Sequence, residues 1–330
     1  KPVPTYLYRI LERHRELAAA DTRPLDRLID EAQQCPPPRG FRAALRGVGH
    51  LAVIAEIKRR SPSKGDLNAE LDPAVMAATY EAGGATCLSV LTDREFFGGS
   101  PDDLRAARAA CSLPVLRKDF TVSPHDVADA RLMGADCVLL IAAAMRPCLL
   151  ADLHALALEL GLDVLVEIHD EFELEAAMHA DATLIGVNQR DLVTFRVDTD
   201  RAVRLAPLIP AGAVKVAESG VRCPDDTRAL RAAGYDAVLV GETVVTAGDP
   251  AGMVAELICG RADPSSVNRL RRTGTRGLPF VAHVREDLRD HQRGGRAARG
   301  CPRRGRCRVR VRPQCAPGDG GNRARHREAA

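Results

Sequence analysis

Eight short apolar runs, alternating with helical segments, constrain this chain more than any other feature. The runs are residues 52–58, 86–91, 114–118, 136–141, 163–167, 183–187, 213–217 and 236–240. Each is β-prone and almost continuously apolar, the pattern of a parallel strand buried on both faces. Between them, segments 73–82, 100–110, 124–133, 147–160, 171–179, 198–208 and 224–233 carry helical apolar spacing or helix-start signals. Asp72-Pro73 and Ser123-Pro124 set a capping side chain ahead of a proline in the first turn. Glycines 83–84, 134, 161 and 234 fall at helix ends, where a left-handed residue hands the chain to the next strand. Strands that recur with a helix between them build a parallel sheet, and eight such units close into a (β/α)8 TIM barrel of the α/β class. An open doubly wound sheet is the alternative, but no Gly-rich dinucleotide fingerprint comes after the first run.

The flanks differ from this middle. Segments 6–20 and 24–34 read as helices, and Pro36-Pro37-Pro38-Arg39-Gly40 separates them from the next segment. Residues 1–50 are therefore expected to form a helical extension covering one barrel end, with the barrel itself spanning 51–263. Residues 264–330 hold 18 Arg, no Lys and 5 acidic residues, a net charge of +13; the preceding part has 29 basic and 39 acidic residues, a net of −10. An acidic body thus carries a basic tail, and the overall +3 describes neither. With few, aperiodic apolar residues the tail is expected to be disordered. Clustered Arg can neutralise nucleic-acid phosphates. The tail has no interleaved aromatics and no RNA-binding motif, so it reads as a solvated extension and nucleic acid as an unlikely partner. Arg without Lys, amid Gly, Ala and Pro, is also what GC-rich codons give when read out of frame.

Tryptophan is absent and aromatics are 3%, so the core must come from Leu, Val, Ile and Ala. No apolar run approaches the roughly 18 residues of a membrane span, and Lys1-Pro2-Val3-Pro4 does not lead into a signal-like stretch. The ten cysteines are scattered, mostly in apolar runs, as reduced core thiols would be. A cytoplasmic protein without a membrane partner is the expectation, as a monomer or weak homodimer.

In a barrel of this kind the chemistry sits at the C-terminal ends of the strands. Polar residues recur there in six of the eight units. Glu56 and Lys58 end the first run and share a face, being two residues apart. Lys118 ends the third, and Glu167 the fifth. Asn188 and Arg190 come after the sixth, Glu218, Ser219 and Gly220 after the seventh, and Gly241 and Glu242 after the eighth. Each has an ordinary reading as well: a solvated Lys118, a structural Glu167–Arg190 pair, mutual neutralisation of Glu56 and Lys58. Their coincidence on one rim favours a catalytic site. The glycines after strands seven and eight let backbone N–H groups approach an anion, so a phosphorylated small molecule is the expected substrate. Ser61-Pro62-Ser63-Lys64-Gly65 reads as a turn opening the first rim loop. His169 reads as a polar loop residue, and no His/Cys/Asp group, Cys301, Cys307 and Cys315 included, has metal-ligand spacing.

These segments resemble a known family. Residues 54–65 (IAEIKRRSPSKG), 89–92 with 97–100 (SVLT and FGGS), 114–120 (PVLRKDF), 134–141 (GADCVLLI), 165–170 (LVEIHD), 185–192 (IGVNQRDL), 214–221 (VKVAESGV) and 238–243 (VLVGET) are similar, in order, to indole-3-glycerol-phosphate synthase of tryptophan biosynthesis. The resemblance covers about residues 6–260. It implies ring closure of 1-(2-carboxyphenylamino)-1-deoxyribulose 5-phosphate with loss of carbon dioxide and water, and no cofactor or metal. It further implies Lys118 as general acid, with a pKa lowered by cationic and apolar neighbours, and Glu167 as general base. Lys58 would hold the ring carboxylate and Glu56 would orient the lysines. Asn188, Glu218 and Ser219 would position the substrate, and Arg190 would join the charge network. Ser61, Gly220, Gly241 and the backbone of Glu242 would surround the phosphate. A phosphosugar isomerase on the same fold would not need the Glu56-x-Lys58 pair together with Lys118.

Overall fold

The structure is a computed structural model and describes residues 6–259. Eight strands form one closed parallel barrel: β1 Ala52–Ile57, β2 Cys87–Leu91, β3 Val115–Lys118, β4 Cys137–Ile141, β5 Asp163–Ile168, β6 Leu184–Asn188, β7 Val214–Glu218 and β8 Ala237–Val240. Each pairs with its sequence neighbours, and β1 closes the ring against both β2 and β8. The eight expected runs all become strands, each within a residue or two of its expected span.

Side chains pointing into the barrel change character along its axis. Ile54, Cys87, Leu116, Leu139, Leu165, Val216 and Leu239 belong to one buried apolar cluster. Two residues further on, the same face of each strand carries Glu56, Ser89, Lys118, Ile141, Glu167, Glu218 and Gly241. The period of two thus sets a polar layer directly on an apolar plug. The plug excludes water from below, so charges above it are held by protein groups rather than solvent.

The N-terminal segment touches both ends of the barrel. Helix α1 (Tyr6–Ala20) lies over the C-terminal rim. His14 reaches Asp93 at 3.1 Å, Arg15 donates to the Ala144 carbonyl at 2.7 Å, and Tyr6 packs edge-on against Phe96 and Phe195. Helix α2 (Leu25–Gln33) descends beside the helix Pro124–Leu132, where Arg23 bonds Asp129 at 2.8 Å. Helix α3 (Phe41–Arg46) closes the opposite end. Its Phe41 and Leu45 join the apolar plug, and the Arg39 and Arg42 N–H groups donate to Asp136 and Asp163 at 2.7 and 2.8 Å.

The outer layer comprises α4 Pro73–Ala82, α5 Pro101–Ala110, α6 Pro124–Leu132, α7 Pro147–Glu159, α8 Glu171–His179, α9 Asp200–Leu205, α10 Pro224–Ala232, α11 Glu242–Val245 and α12 Pro250–Cys259. The caps read from sequence are in place: Asp72 accepts from the Ala74 and Val75 N–H groups, and Ser123 forms a capping box with Asp126. Five elements go beyond the expected pattern, a 3-10 turn at Ala142–Ala144 after β4 among them. Helices α3 and α11 are too short to show a stripe, α12 has no counterpart among the expected helices, and Arg60–Ser61 pairs with Gly65–Asp66 as a small antiparallel ribbon across the expected turn. The expected helix 198–208 ends at Leu205 and continues as a 3-10 turn, Ala206–Leu208, because Pro207 has no N–H to donate. No helix among the described residues is long and apolar enough to cross a membrane. The disorder expected of 264–330 concerns residues outside those described.

Candidate active site

Lys118 is the hub of the polar layer. Its Nζ donates to Glu167 Oε2 at 3.0 Å and to Glu218 Oε2 at 2.8 Å, tying β3 to β5 and β7 across the barrel mouth. Asn188 on β6 completes the arc: its Nδ2 donates to Glu167 Oε1 at 3.0 Å, and its Oδ1 accepts from Ser219 Oγ at 2.9 Å and from the Arg190 N–H at 3.0 Å. On the other side Lys58 Nζ pairs with Glu56 Oε1, and Ser89 Oγ donates to Glu56 Oε2 at 3.2 Å. Glu56, Glu167, Asn188 and Glu218 are buried, whereas both lysine heads face the cavity.

Two glycines make room for these carboxylates. A Cβ at Gly186 would collide with Glu218 Oε1; one at Gly241 would lie 2.5 Å from Glu56 Oε1 and 3.0 Å from Lys58 Nζ. After β7 the backbone turns left-handed twice, Ser219 at φ 65° and Gly220 at φ 79°. That conformation is unfavourable for serine. Two bonds hold it, the Ser219 hydroxyl to Asn188 and the Gln189 amide to the Ser219 carbonyl at 2.8 Å.

Above this floor lies a cavity of about 670 Å³. All twelve residues singled out in the sequence line it: Glu56, Lys58, Ser61, Lys118, Glu167, Asn188, Arg190, Glu218, Ser219, Gly220, Gly241 and Glu242. It also has an apolar wall, Phe97, Phe120, Leu139, Ile141 and Leu192, which the polar motifs alone do not announce. Phe97 and Phe120 lie 6.2 Å apart between ring centres. Both rings lie in segments that carry the resemblance, 97–100 and 114–120. The first rim loop is tied across the mouth by Lys64 to Glu242 at 3.4 Å and by Arg190 to Ser63 at 3.4 Å. The Glu242 carboxylate faces these cations, Arg190 at 3.9 Å included. Arg190 therefore pairs with Glu242 and not with Glu167.

The electrostatics correct one expectation. Burial alone would depress Lys118, but Glu167, Glu218 and Glu56 outweigh it and hold the ammonium well above an ordinary lysine. Its neighbours are carboxylates, not cations. Burial likewise opposes the charge on Glu167, yet Lys118 and His169, with the Asn188 hydrogen bond, keep this carboxyl well below the usual range. Glu218 goes the other way: burial raises it, Lys118 offsets only part, and Glu167 beside it adds to the rise. Two carboxylates on one ammonium thus have their proton affinities pushed in opposite directions.

His14, Asp93 and Asp119 are the group among the described residues whose ligand atoms, within 4.8 Å of one another, could surround a cation. They already pair among themselves, His14 Nε2 lying 3.1 Å from Asp93 and 3.7 Å from Asp119.

A parallel barrel whose rim gathers two lysines and three carboxylates beneath a partly apolar cavity has the architecture of a (β/α)8 enzyme. The family model described as "Indole-3-glycerol phosphate synthase" matches residues 7–257. Among curated relatives, the indole-3-glycerol phosphate synthase of Bordetella pertussis is 52% identical over 234 residues, covering 70% of this chain and 89% of that protein. Indole-3-glycerol phosphate synthase 2 of Streptomyces coelicolor is 52% identical over 232 residues (70% and 90%), and the Mycolicibacterium vanbaalenii enzyme 50% identical over 241 (73% and 88%). The chain belongs to the indole-3-glycerol phosphate synthase family, decarboxylating lyases of tryptophan biosynthesis that act on a phosphorylated small molecule.

Proposed function

We propose that this protein closes the indole ring of 1-(2-carboxyphenylamino)-1-deoxyribulose 5-phosphate, with the residues of the barrel floor dividing the proton transfers. The substrate's aromatic ring packs along Phe97, Phe120 and Leu192, and its carboxylate meets Lys58. The ring carbon bearing that carboxylate attacks the sugar carbonyl. A C–C bond forms, and Lys118 delivers a proton to the carbonyl oxygen. The carboxylate then leaves as carbon dioxide and its bonding electrons restore the aromatic ring. Finally the new hydroxyl departs as water while Glu167 takes the proton whose loss creates the indole double bond. Glu56 fixes Lys58, while Asn188, Ser219 and Glu218 orient the substrate hydroxyls. Ser61 and the backbone of Gly220, Gly241 and Glu242 surround the phosphate, with Lys64 and Arg190 nearby on the Glu242 side chain.

The observation carrying this reading is the single lysine shared at 3.0 and 2.8 Å between two carboxylates of opposite proton affinity. An ammonium beside a carboxyl of raised proton affinity, Glu218, can give its proton to the substrate and take one back from that carboxyl. The remaining boundaries accord with the same reading: a helical extension at 1–50, the catalytic barrel at 51–263, and a tail at 264–330 outside the chemistry. A closed barrel leaves no barrel edge to pair with another chain, which fits a monomer or weak homodimer; a cytoplasmic enzyme that does not engage nucleic acid is part of the same proposal. The test is to supply the substrate and monitor indole fluorescence. Product should form, and Lys118→Met and Glu167→Gln should each lose about 10²–10⁴-fold in kcat, the worth of general acid–base catalysis. A folded protein that yields no product ends this reading.

A further inference from the structure

His169 lies two residues beyond Glu167, one past the end of β5 at Ile168, and its ring comes within 3.7 Å of the Glu167 carboxylate. Its backbone N–H donates to Glu173 Oε2 at 2.8 Å, and ring Nδ1 lies 2.9 Å from the same oxygen. Glu173 stands in the first turn of α8, its own N–H capped by Asp170 at 2.8 Å. One carboxylate thus grips backbone and ring together and fixes the imidazole. The other ring nitrogen, Nε2, is buried without a hydrogen-bond partner, 3.7 Å from Glu167 Oε1.

An ionised carboxylate only accepts, so Nδ1 carries a hydrogen toward Glu173. A neutral ring would then turn a bare Nε2 lone pair on Glu167, acceptor against acceptor in a buried setting. A second proton resolves the conflict, placing an Nε2–H 3.7 Å from the oxygen that already accepts from Asn188. The charged groups around the ring are Glu173 on α8, Glu167 on β5 and Arg201 on α9, with Lys118 across Glu167. Burial and Arg201 oppose the second proton; Glu173 and Glu167 outweigh them.

We propose that His169, gripped by Glu173, is a positioning residue that stands as an imidazolium at neutral pH and keeps Glu167 ionised and aimed at the reacting centre. This rests on Glu167 being the base. Every oxygen of that base then faces a donor: Lys118 on Oε2, Asn188 and His169 on Oε1. Such an arrangement holds the anion ready without letting it collapse onto Lys118 alone.

The experiment uses the full chain with 15N-labelled histidine, reading the His169 ring nitrogens against pH. Beside it run the pH profiles of kcat for the wild type and His169→Gln. In the wild type both nitrogens should be protonated at pH 7. The His169 pKa should fall by about one unit in Glu173→Gln and in Glu167→Gln, each of which removes an adjacent charge. The acid limb of kcat should move up by about one pH unit in His169→Gln, since the carboxylate loses a neighbouring positive charge. A neutral His169 at pH 7 in the wild type overturns the proposal, and so does an acid limb that stays put. Failure of the base assignment shows separately: Glu167→Gln would retain wild-type turnover, whatever the His169 titration does.

Discussion

Glu167 and Glu218 both accept a hydrogen bond from Lys118, but their second oxygens differ. Glu167 Oε1 takes the Asn188 amide at 3.0 Å, whereas Glu218 Oε1 is buried with no partner. An unsatisfied buried oxygen is tolerable on a carboxylic acid and costly on an anion. Burial, with Glu167 beside it, pushes Glu218 up to about 7 from the ordinary 4.5 against the pull of Lys118, and the unpartnered oxygen fits that preference for the neutral form. A raised carboxyl contributes nothing adverse below the ordinary value and costs stability as pH rises toward and through the folded one. Glu218→Gln, which keeps the shape and cannot ionise, should therefore be more stable than the wild type above pH 7 and equal to it near pH 4. The gain should be roughly 1.4 kcal/mol for each unit the carboxyl is raised. Urea melts at the two pH values read this directly, and equal stability at both would mean that Glu218 is ionised with its neighbour. Gly241 gives a second residue-scale prediction. Alanine there brings Cβ to 2.5 Å from Glu56 Oε1, so the Glu56–Lys58 pair must shift. Overpacking of this kind costs about 1–3 kcal/mol. Displacing Lys58 should also lower kcat/KM by roughly ten-fold, or about 1.4 kcal/mol of transition-state binding. A Gly241→Ala enzyme with unchanged kcat/KM would show that Lys58 can move freely.

Among the elements, α1 is held to the barrel in part by a histidine whose charge depends on pH. His14 contacts Asp93, just past β2, and Asp119, just past β3, and its ring packs on Phe120 of the cavity wall. Burial lowers its proton affinity, but the Asp93 hydrogen bond and the Asp119 charge more than compensate, so His14 is raised. A raised histidine stabilises below its ordinary value of 6.5, and that contribution is lost as pH rises through the folded value. Asp93 is lowered against its burial by His14 and the Phe96 N–H, so its contribution disappears as pH falls instead. Helix α1 should therefore loosen on the alkaline side. Hydrogen exchange in α1, corrected for the intrinsic rate, should quicken between pH 6 and pH 9 in the wild type and be flat in His14→Gln. Protection in the wild type that does not change with pH would rule the latch out. None of this is legible in the sequence, because a histidine on a helix and two aspartates after distant strands meet only once the barrel closes. The strands are legible, since near-continuous runs such as 136–141 and 213–217 carry their signal locally. So is the polar rim, because the period of two sets Glu56, Lys118, Glu167 and Glu218 one step beyond apolar positions. What escapes is whatever is short or assembled from afar. Helix α3 has six residues, the aromatic wall combines Phe97 with Phe120 and Leu192, and the carboxylate surroundings of Lys118 come from three other strands.

On the scale of the whole molecule, stability and chemistry occupy opposite ends of one barrel. The N-terminal end is sealed by Phe41 and Leu45 and pinned by Asp136 and Asp163, while the C-terminal end carries the cavity. The ring of helices is completed by α12, whose Val254 and Leu257 are fully buried. It packs against α4 so closely that a Cβ on Gly83 would lie 2.6 Å from the Ala251 carbonyl oxygen. By Cys259, then, every strand has both neighbours and the apolar plug is covered at both ends. Nothing in this architecture requires residues 264–330, and their +13 charge is opposite to the −10 of the preceding part. A chain ending at Asp263 should keep its turnover and melt within about 2–4 °C of the full chain, the shift that 1 kcal/mol produces in a domain of this size. If the tail binds a polyanion, only the full chain should show binding that weakens with salt, and turnover should be the same in both. A larger fall in Tm on truncation, or lost activity, would mean that the basic segment supports the acidic barrel, and the closed ring of strands would then not be the whole folding unit.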